Sequence, residues 1–127
     1  MGQTKALGLI VFAHGSSVVE ANEAVRRAAG ETARRCLIPL WETAFLELAQ
    51  PDLAAAVQSL SARGAGRIIV TPYFLTMGIH LQRDLPRILD QISQAHPGID
   101  LVCSPPLDGH PALIDILAER AHQAISS

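Results

Sequence analysis

Residues 9–17 of the chain read Leu-Ile-Val-Phe-Ala-His-Gly-Ser-Ser, and they carry the clearest indication of the fold. Five apolar residues in a row are typical of a strand that is buried on both faces of a sheet. Ser16 or Ser17 can cap a following helix, because a serine oxygen accepts a bond from a free N–H of the first helical turn. The stretch therefore predicts a strand that leads directly into a helix. His14 falls between the two, at the edge where open α/β sheets bind their ligands.

The alternation of apolar strands and amphipathic helices continues along the chain. The predicted strands span Leu7–Ala13, Leu40–Leu46, Arg67–Thr71 and Ile99–Cys103. The predicted helices run from Ser16 or Ser17 to Arg35, from Pro51 to Arg63, from His80 to Ala95 and from Pro111 to Ile125. Such alternation indicates a parallel sheet with helices on both faces. We therefore expect one three-layer α/β/α domain over residues 1–127, with a four-stranded parallel sheet and, by analogy with flavodoxin-like folds, strand order 2-1-3-4.

The first helix is expected to pack one face against this sheet. The positions at helical spacing are Ala21, Val25, Ala28, Ala29, Thr32 and Cys36. Cys36 and Cys103 both lie in apolar contexts, where a free cysteine behaves as a small hydrophobic residue. Two cysteines without metal-ligand spacing form no disulfide framework, so their use favours the reducing cytoplasm.

The overall composition excludes several classes of function. Hydrophobic residues make up 49% and charged residues 17% of the 127 residues, which is typical of a compact globular fold. The net charge of −2 and the 4% of aromatic residues disfavour nucleic acid and anionic membranes as partners. No apolar run is long enough for a transmembrane helix, and the run before His14 lacks a signal-peptide cleavage site.

Three side chains are predicted to meet at the carboxyl edge of the sheet. His14 follows the first strand, Glu47 follows the second, and His80 ends the loop after the third. In the order 2-1-3-4 these strands are neighbours. Two imidazoles and a carboxylate suit a divalent transition metal such as Fe²⁺, Co²⁺ or Ni²⁺, and a histidine can also accept protons from a substrate.

Each of these residues also has an ordinary structural interpretation. His14 could be a helix-entry histidine bonded to backbone, and His80 could be a plain residue of a helix N-terminus. Glu47 alone would be typical of a solvated carboxylate at a strand end. His110, at the start of the last helix, is a weaker candidate for a substrate contact, whereas His96 and His122 are expected at the surface.

Several motifs, in order along nearly the whole chain, are similar to those of the small single-domain sirohydrochlorin chelatases, which are class II chelatase-like enzymes. They are Ala-His-Gly-Ser-Ser at 13–17, Phe-Leu-Glu-Leu-Ala-Gln-Pro at 45–51, Pro-Tyr-Phe-Leu-Thr-Met-Gly-Ile-His at 72–80, Asp-Leu-Pro at 84–86 and Pro-Leu-Asp-Gly-His-Pro-Ala-Leu at 106–113. The resemblance also extends to Ala21-Asn22. One departure is Ser17, where the family often carries an arginine that could pair with a substrate carboxylate.

This resemblance implies insertion of Co²⁺, Fe²⁺ or Ni²⁺ into sirohydrochlorin, on the way to cobalamin or sirohaem. It implies that His14 and His80 bind the metal and take up pyrrole protons, with Glu47 assisting. The metal is then a substrate, and no permanent cofactor is expected. This agrees with the chemistry, because a closed four-ligand site would retain a metal that has to be given away.

Further residues are predicted to contact the macrocycle. Gly15 and Gly78 lie close to the candidate histidines and allow backbone to approach a flat ring, although simple turn geometry explains Gly78 equally well. Ser16 and Tyr73 are the other predicted ring contacts. Because one module provides only one wall of a cleft for so broad a substrate, we expect a homodimer.

Two other functions remain open on sequence alone. Gly15-Ser16-Ser17 at a helix start offers backbone N–H groups to an anion, which would suit a phosphate-handling enzyme. The same pair, His14 and His80, could instead belong to a metal carrier that catalyses nothing.

Overall fold

The structure is a computed structural model that describes residues 5–127. Its strands are β1 (Leu7–Ala13), β2 (Leu40–Phe45), β3 (Arg67–Pro72) and β4 (Asp100–Cys103). Its helices are α1 (Val19–Arg35), α2 (Leu53–Ala62), α3 (Gly78–Ala95) and α4 (Ala112–Ile125). Every element expected from the pattern is present, with ends that differ by a few residues.

The four strands form one parallel sheet in the order β2-β1-β3-β4, as predicted. β1 is central, with Ala13 paired to Phe45 of β2 and Phe12 paired to Pro72 of β3. Because parallel strands end at the same edge, the residues after β1, β2 and β3 emerge side by side.

One face of the sheet carries the larger core. Helices α2 and α3 cover this face, and Phe12, Ile68 and Leu60 are among its fully buried side chains. α2 begins after Asp52, whose Oδ1 accepts a 2.9 Å bond from the N–H of Ala55. Asp52 therefore caps the helix, and Pro51 lies before the helix and not in its first turn.

α3 begins at Gly78, two residues before the predicted start, and Pro86 lies inside it. From the sequence, Pro86 could lie in the first turn of this helix or make the helix start later, near Arg83, and neither arrangement is present. Pro86 has no N–H to donate along the helix. Leu85 and Ile92 are buried against the sheet, so packing holds the helix through this point.

The other face carries a smaller core beneath α1. Leu9 and Val11 of β1 pack there against Ala29 and Ala33, and the β3 side chain Ile69 is only half-buried. One helix covers this face over the described residues, whereas two helices cover the other.

The face that α1 turns towards the sheet differs from the predicted one. The helix begins at Val19 with no side-chain cap, and Ser16 Oγ instead accepts a 3.0 Å bond from the N–H of Val18. Its buried residues are Asn22, Ala29 and Ala33. Ala21, Thr32 and Cys36 are exposed and were thus wrongly assigned to the inner face, which instead contains the buried Asn22.

The two cysteines are also more accessible than expected. Cys36 and Cys103 are both free and exposed, which contradicts their interpretation as small core residues. Partial burial raises the pKa of the Cys103 thiol, which favours its protonated form.

α4 buries none of its residues against the described part of the chain. Leu113 is half-buried, and the rest of the helix is exposed. Within residues 5–127 no helix has both the length and the apolar character needed to cross a bilayer.

Candidate active site

His14 and Glu47 are brought together by the extension of the β1–β2 pairing beyond the strand ends. The N–H of Leu46 donates to the carbonyl of Ala13 at 2.9 Å, and the N–H of Glu47 donates to the carbonyl of His14 at 3.0 Å. The side chains then meet, with His14 Nε2 3.3 Å from Glu47 Oε1. Both remain open to solvent, with 59% and 57% of their side-chain surfaces exposed.

Both ring nitrogens of His14 face oxygen atoms that only accept hydrogen bonds. Nδ1 lies 3.2 Å from the carbonyl oxygen of Gly15, while Nε2 faces the Glu47 carboxylate. The imidazolium form satisfies both contacts. In the neutral form with its proton on Nδ1, the Nε2 lone pair points towards Glu47. That lone pair and the carboxylate can then hold a cation, either a proton or a metal ion, between them.

Asn22 holds the loop that carries His14. Its Oδ1 accepts from the N–H of Ser16 at 3.0 Å, and its Nδ2 donates to the carbonyl of Ser16 at 2.8 Å. Asn22 is one of two buried polar residues within the described part of the chain. The sequence analysis identified Asn22 only as part of a motif and missed this positioning role. A polar residue on an alanine-rich inner face could have indicated it.

The loop that carries Glu47 is fixed from two sides. Arg26 of α1 lies over the Phe45 ring at 5.4 Å and donates to the carbonyl of Gln50 at 3.3 Å. Gly15, with φ of 92°, packs so tightly against this loop that a Cβ would overlap the carbonyl oxygen of Glu47. The close approach that Gly15 allows is therefore to the neighbouring loop.

His80 occupies the first turn of α3. Gly78 has φ of 70° with open space around it, which is turn geometry. Nη2 of Arg83 lies 3.0 Å from His80 Nδ1. Because a guanidinium only donates, Nδ1 acts as the acceptor and a neutral His80 carries its proton on Nε2.

A single cavity of about 400 Å³ connects the two histidines. His14 and His80 stand on its wall with a mostly apolar set of residues. These are Leu46, Phe74, Thr76, Met77, Gly78, Ile79, Leu81, Asp84 and Ile88. Leu46 and Ile79 are exposed, so the cavity opens onto apolar surface.

The structure thus brings some of the predicted site residues together and not others. His14 contacts Glu47, and His80 shares only the cavity with His14. Within residues 5–127, no three His, Cys, Asp or Glu side chains are arranged to hold a metal ion. Tyr73 lines a different cavity, beside Thr71 on the α1 face of the sheet.

Two backbone donors needed by the phosphate interpretation are already used. The N–H of Ser16 bonds to Asn22, and the N–H of Val18 bonds to Ser16 Oγ. These two N–H groups are consequently not available to an anion.

The fold and the site define an α/β protein with an open, histidine-containing site at the carboxyl edge of a parallel sheet. The CbiX family model matches residues 8–124, and the chain belongs to this family.

Named relatives and solved structures agree with this assignment. The sirohydrochlorin cobaltochelatase of Sulfolobus acidocaldarius is 32% identical over 120 residues, which are 94% of each chain. A cobalamin (vitamin B12) biosynthesis CbiX protein from Marinobacter aquaeolei superposes with a TM-score of 0.81 at 27% identity, covering 94% of this chain and 98% of that one. The sirohydrochlorin chelatase SirB from Bacillus subtilis, in complex with cobalt, gives a TM-score of 0.67 at 26% identity, covering 79% of this chain and 43% of that one.

Proposed function

We propose that this chain is a sirohydrochlorin metal chelatase, a lyase that inserts Co²⁺, Fe²⁺ or Ni²⁺ into sirohydrochlorin during cobalamin or sirohaem biosynthesis. The observation that carries the proposal is the His14–Glu47 contact of 3.3 Å on a cavity that His80 also lines. Imidazole and carboxylate ligands suit these ions. The names of the relatives, cobaltochelatase and chelatase, support the same reaction.

The metal in this proposal is a substrate. His14 and Glu47 are more than half exposed, so an ion between them keeps open coordination positions. Such an ion can be passed to the macrocycle, whereas a closed tetrahedral site would retain it. His80 would serve as the second histidine ligand when the cavity is filled. For that role its Nε2 must lose its proton, so its Nδ1 must pick one up and release Arg83.

Insertion also produces protons that the site has to accept. Two pyrrole N–H bonds break as M²⁺ binds the ring nitrogens, and two protons leave. Once the ion has moved to the ring, neutral His14, with Nδ1–H directed at Gly15, has a free lone pair on Nε2 for one of these protons, and Glu47 can share it across 3.3 Å. The second proton passes to the solvent, to which both side chains are open.

The macrocycle is proposed to bind on the apolar side of the cavity. Leu46 and Ile79 line it and are exposed, and Leu75 is exposed on the adjoining loop. Apolar surface grouped at a cavity in this way suits a flat apolar ligand or another chain. Gly78 and Tyr73 remain proposed ring contacts. Gly15 and Ser16 are proposed to act through the position of His14.

The second wall of the cleft is proposed to come from a second copy of the chain. The metal-handling side chains are exposed to one side and lack any cover over the described residues. A homodimer would enclose a broad substrate between two such edges. The cytoplasm stays the predicted compartment.

The test is anaerobic absorbance spectroscopy of sirohydrochlorin with Co²⁺, Fe²⁺ or Ni²⁺ added separately. The wild-type chain should exceed the spontaneous insertion rate. His14→Ala and His80→Ala should each lose about 100-fold or more of the catalysed rate, as expected when a group that moves a proton is removed. His96→Ala is the matched control, because His96 lies at the opposite end of α3.

The outcomes separate the proposal from its competitor. Full activity in both His14→Ala and His80→Ala would overturn the assigned roles. Tight metal binding by the wild type without any insertion would instead support a metal carrier that uses the same residues.

A further inference from the structure

The loops at the carboxyl edge of the sheet carry no lysine or arginine. They follow the four strands and span residues 14–18, 46–52, 73–77 and 104–111. The chain as a whole has a net charge of −2, so it has no positive field of its own. The macrocycle of the proposed function carries carboxylate arms around its ring. Binding of these arms at this edge therefore needs an individual cation from a neighbouring helix.

Most of the lysine and arginine side chains are placed elsewhere in the fold. Arg26 of α1 is already bonded to the carbonyl of Gln50 and lies over the Phe45 ring. Arg27 lies in the middle of α1, and Arg120 lies in the second half of α4. Others lie at the amino edge of the sheet, where β1 and β3 begin and α1 and α2 end. These are Lys5, Arg34, Arg35, Arg63 and Arg67.

Arg83, on α3, contacts the wall of the cavity that both histidines line. Its Nη2 lies 3.0 Å from His80 Nδ1, and its Nε lies 3.7 Å from Asp84 Oδ1. His80 and Asp84 are both part of that wall. Among the described residues, no other lysine or arginine forms a hydrogen bond or an ion pair with it. Arg83 is therefore the cation available to a ligand in this cavity.

The existing contacts of Arg83 leave its guanidinium free to bind an anion. Its side chain is 60% exposed. The ion pair with Asp84 joins adjacent surface residues, and such pairs contribute little to stability. The acceptor on His80 is a neutral nitrogen, and Nη1 forms no hydrogen bond within residues 5–127. A carboxylate is a better partner, because it accepts two parallel charge-assisted bonds from a guanidinium.

We infer that Arg83 binds one carboxylate arm of the macrocycle through two parallel N–H···O bonds, an inference that rests on the proposed function. The arm then lies against the first turns of α3, and the exposed Leu46 and Ile79 receive the apolar ring. Because Arg83 and His80 are three residues apart on one helix, the same contact fixes the ring relative to His80.

The contact also releases His80. Without the macrocycle, Nη2 of Arg83 donates to His80 Nδ1, and a neutral His80 keeps its proton on Nε2. A carboxylate that engages Nη2 removes this donor from Nδ1. Nδ1 can then carry the proton, which leaves the Nε2 lone pair free for a metal ion. His80 therefore becomes available as a metal ligand once the macrocycle is bound.

Absorbance titration of the chain with metal-free sirohydrochlorin tests the contact without an insertion step. Arg83→Met keeps an apolar stem and removes the guanidinium, so it should raise Kd about tenfold. Arg83→Lys keeps only a point charge and should raise Kd about threefold. Arg87→Met is the matched control, because it removes the same charge one turn farther along α3, and it should change Kd less than about twofold. Far-ultraviolet circular dichroism checks that each variant is folded.

An esterified ligand identifies the group that Arg83 binds. Sirohydrochlorin with its carboxylates converted to methyl esters should bind the wild type and Arg83→Met equally well. A difference that persists with the ester would overturn the contact, and so would equal losses in Arg87→Met and Arg83→Met. An unchanged Kd in Arg83→Met would overturn it too, and a lower kcat beside that Kd would mean that Arg83 acts only through His80.

Titration with Co²⁺ alone tests the release of His80. Arg83→Met removes the donor in advance, so it should bind Co²⁺ about threefold tighter than the wild type, because a ligand nitrogen has to give up its proton to bind metal. In a His80→Ala background the same substitution should change nothing. Equal Co²⁺ affinities of the wild type and Arg83→Met would overturn the release. A gain that survives in the His80→Ala background would do so as well, since it would reflect only the loss of a positive charge.

These measurements separate the inference from the proposed function. A wild type that binds metal-free sirohydrochlorin through Arg83 but inserts no metal would leave the carboxylate contact standing and remove the function. A wild type that inserts metal while Arg83→Met keeps an unchanged Kd would do the reverse.

Discussion

At the scale of single residues, the chemistry depends on atoms that face one another. His14 presents both ring nitrogens to acceptors, and one of these acceptors is the Glu47 carboxylate 3.3 Å away. In this arrangement a cation bound to the ring would also contact the carboxylate. A histidine bonded only to backbone would offer no such second contact. The alternative interpretation of His14, as a histidine bonded to backbone, agrees with the contact between Nδ1 and the Gly15 carbonyl. It does not account for the contact of the other ring nitrogen with Glu47.

Replacement of Glu47 measures what the carboxylate contributes. Glu47→Gln keeps the shape and removes the charge, so a metal ion or a proton on His14 Nε2 loses its partner. We expect kcat/KM for Co²⁺ insertion to fall about 10- to 100-fold, as for groups that support a metal-binding histidine. Steady-state absorbance assays measure this, with the exposed Glu20→Gln on α1 as the control. A loss below about twofold would show that Glu47 is only a solvated carboxylate, since groups that orient a metal ligand contribute more.

At the scale of elements, the loops after β1 and β2 form one packed unit. Asn22 and Arg26, both on α1, hold the first and the second of these loops. Gly15 lies at the contact between them, where its positive φ and the nearby carbonyl of Glu47 exclude a side chain. The site geometry is therefore set by α1 as much as by the strands.

Gly15→Ala should disrupt this unit. The added methyl group meets the Glu47 carbonyl in a backbone conformation that L residues disfavour. Gly109→Ala is the matched control, because Gly109 also has a positive φ, of 81°, but open space around it. We expect Gly109→Ala to lower the free energy of unfolding by about 1–2 kcal/mol, the cost of the left-handed conformation. Gly15→Ala should add about 1–3 kcal/mol more for the overlap.

Urea denaturation of both variants measures the difference, and insertion assays show whether the loops have moved. Equal free energies of unfolding for the two variants would mean that the loops adjust freely, and Gly15 would then matter only as a turn residue.

At the scale of the whole molecule, the two faces of the sheet differ in how well they are covered. α2 and α3 bury one face, α1 buries half of the other, and α4 stands apart. β1 is paired on both sides, whereas β4 is a four-residue edge strand with no buried side chain. Stability should therefore decrease from the centre of the sheet towards β4.

Amide hydrogen exchange would measure this gradient. At low protein concentration the amides of Ile10 and Phe12 should exchange slowest, and that of Val102 should exchange much faster. If a second copy of the chain covers this edge of the sheet, protection at Val102 should increase with protein concentration while protection at Ile10 stays constant. Uniform protection across the sheet would contradict the gradient.

The sequence by itself determined the element order, the parallel sheet and the candidate residues. These follow from local chemistry: apolar runs, helical spacing, and the proline and glycine positions that end each element. Strand order came by analogy with known folds. The sequence could not determine the phase of α1, because Asn22 is buried by its bonds to a loop and not by hydrophobicity.

Only the tertiary structure decided which candidates meet. The pairing of β1 with β2 places Glu47 against His14, while His80 faces the same cavity and bonds to Arg83. The exposure of α4 could not be predicted from the sequence either. A helix has the same apolar stripe whether it packs on its own chain or on another. The physical reason is common to these cases: a residue's local pattern states what it can bury or bind, and only the contacts made across the fold select the partner.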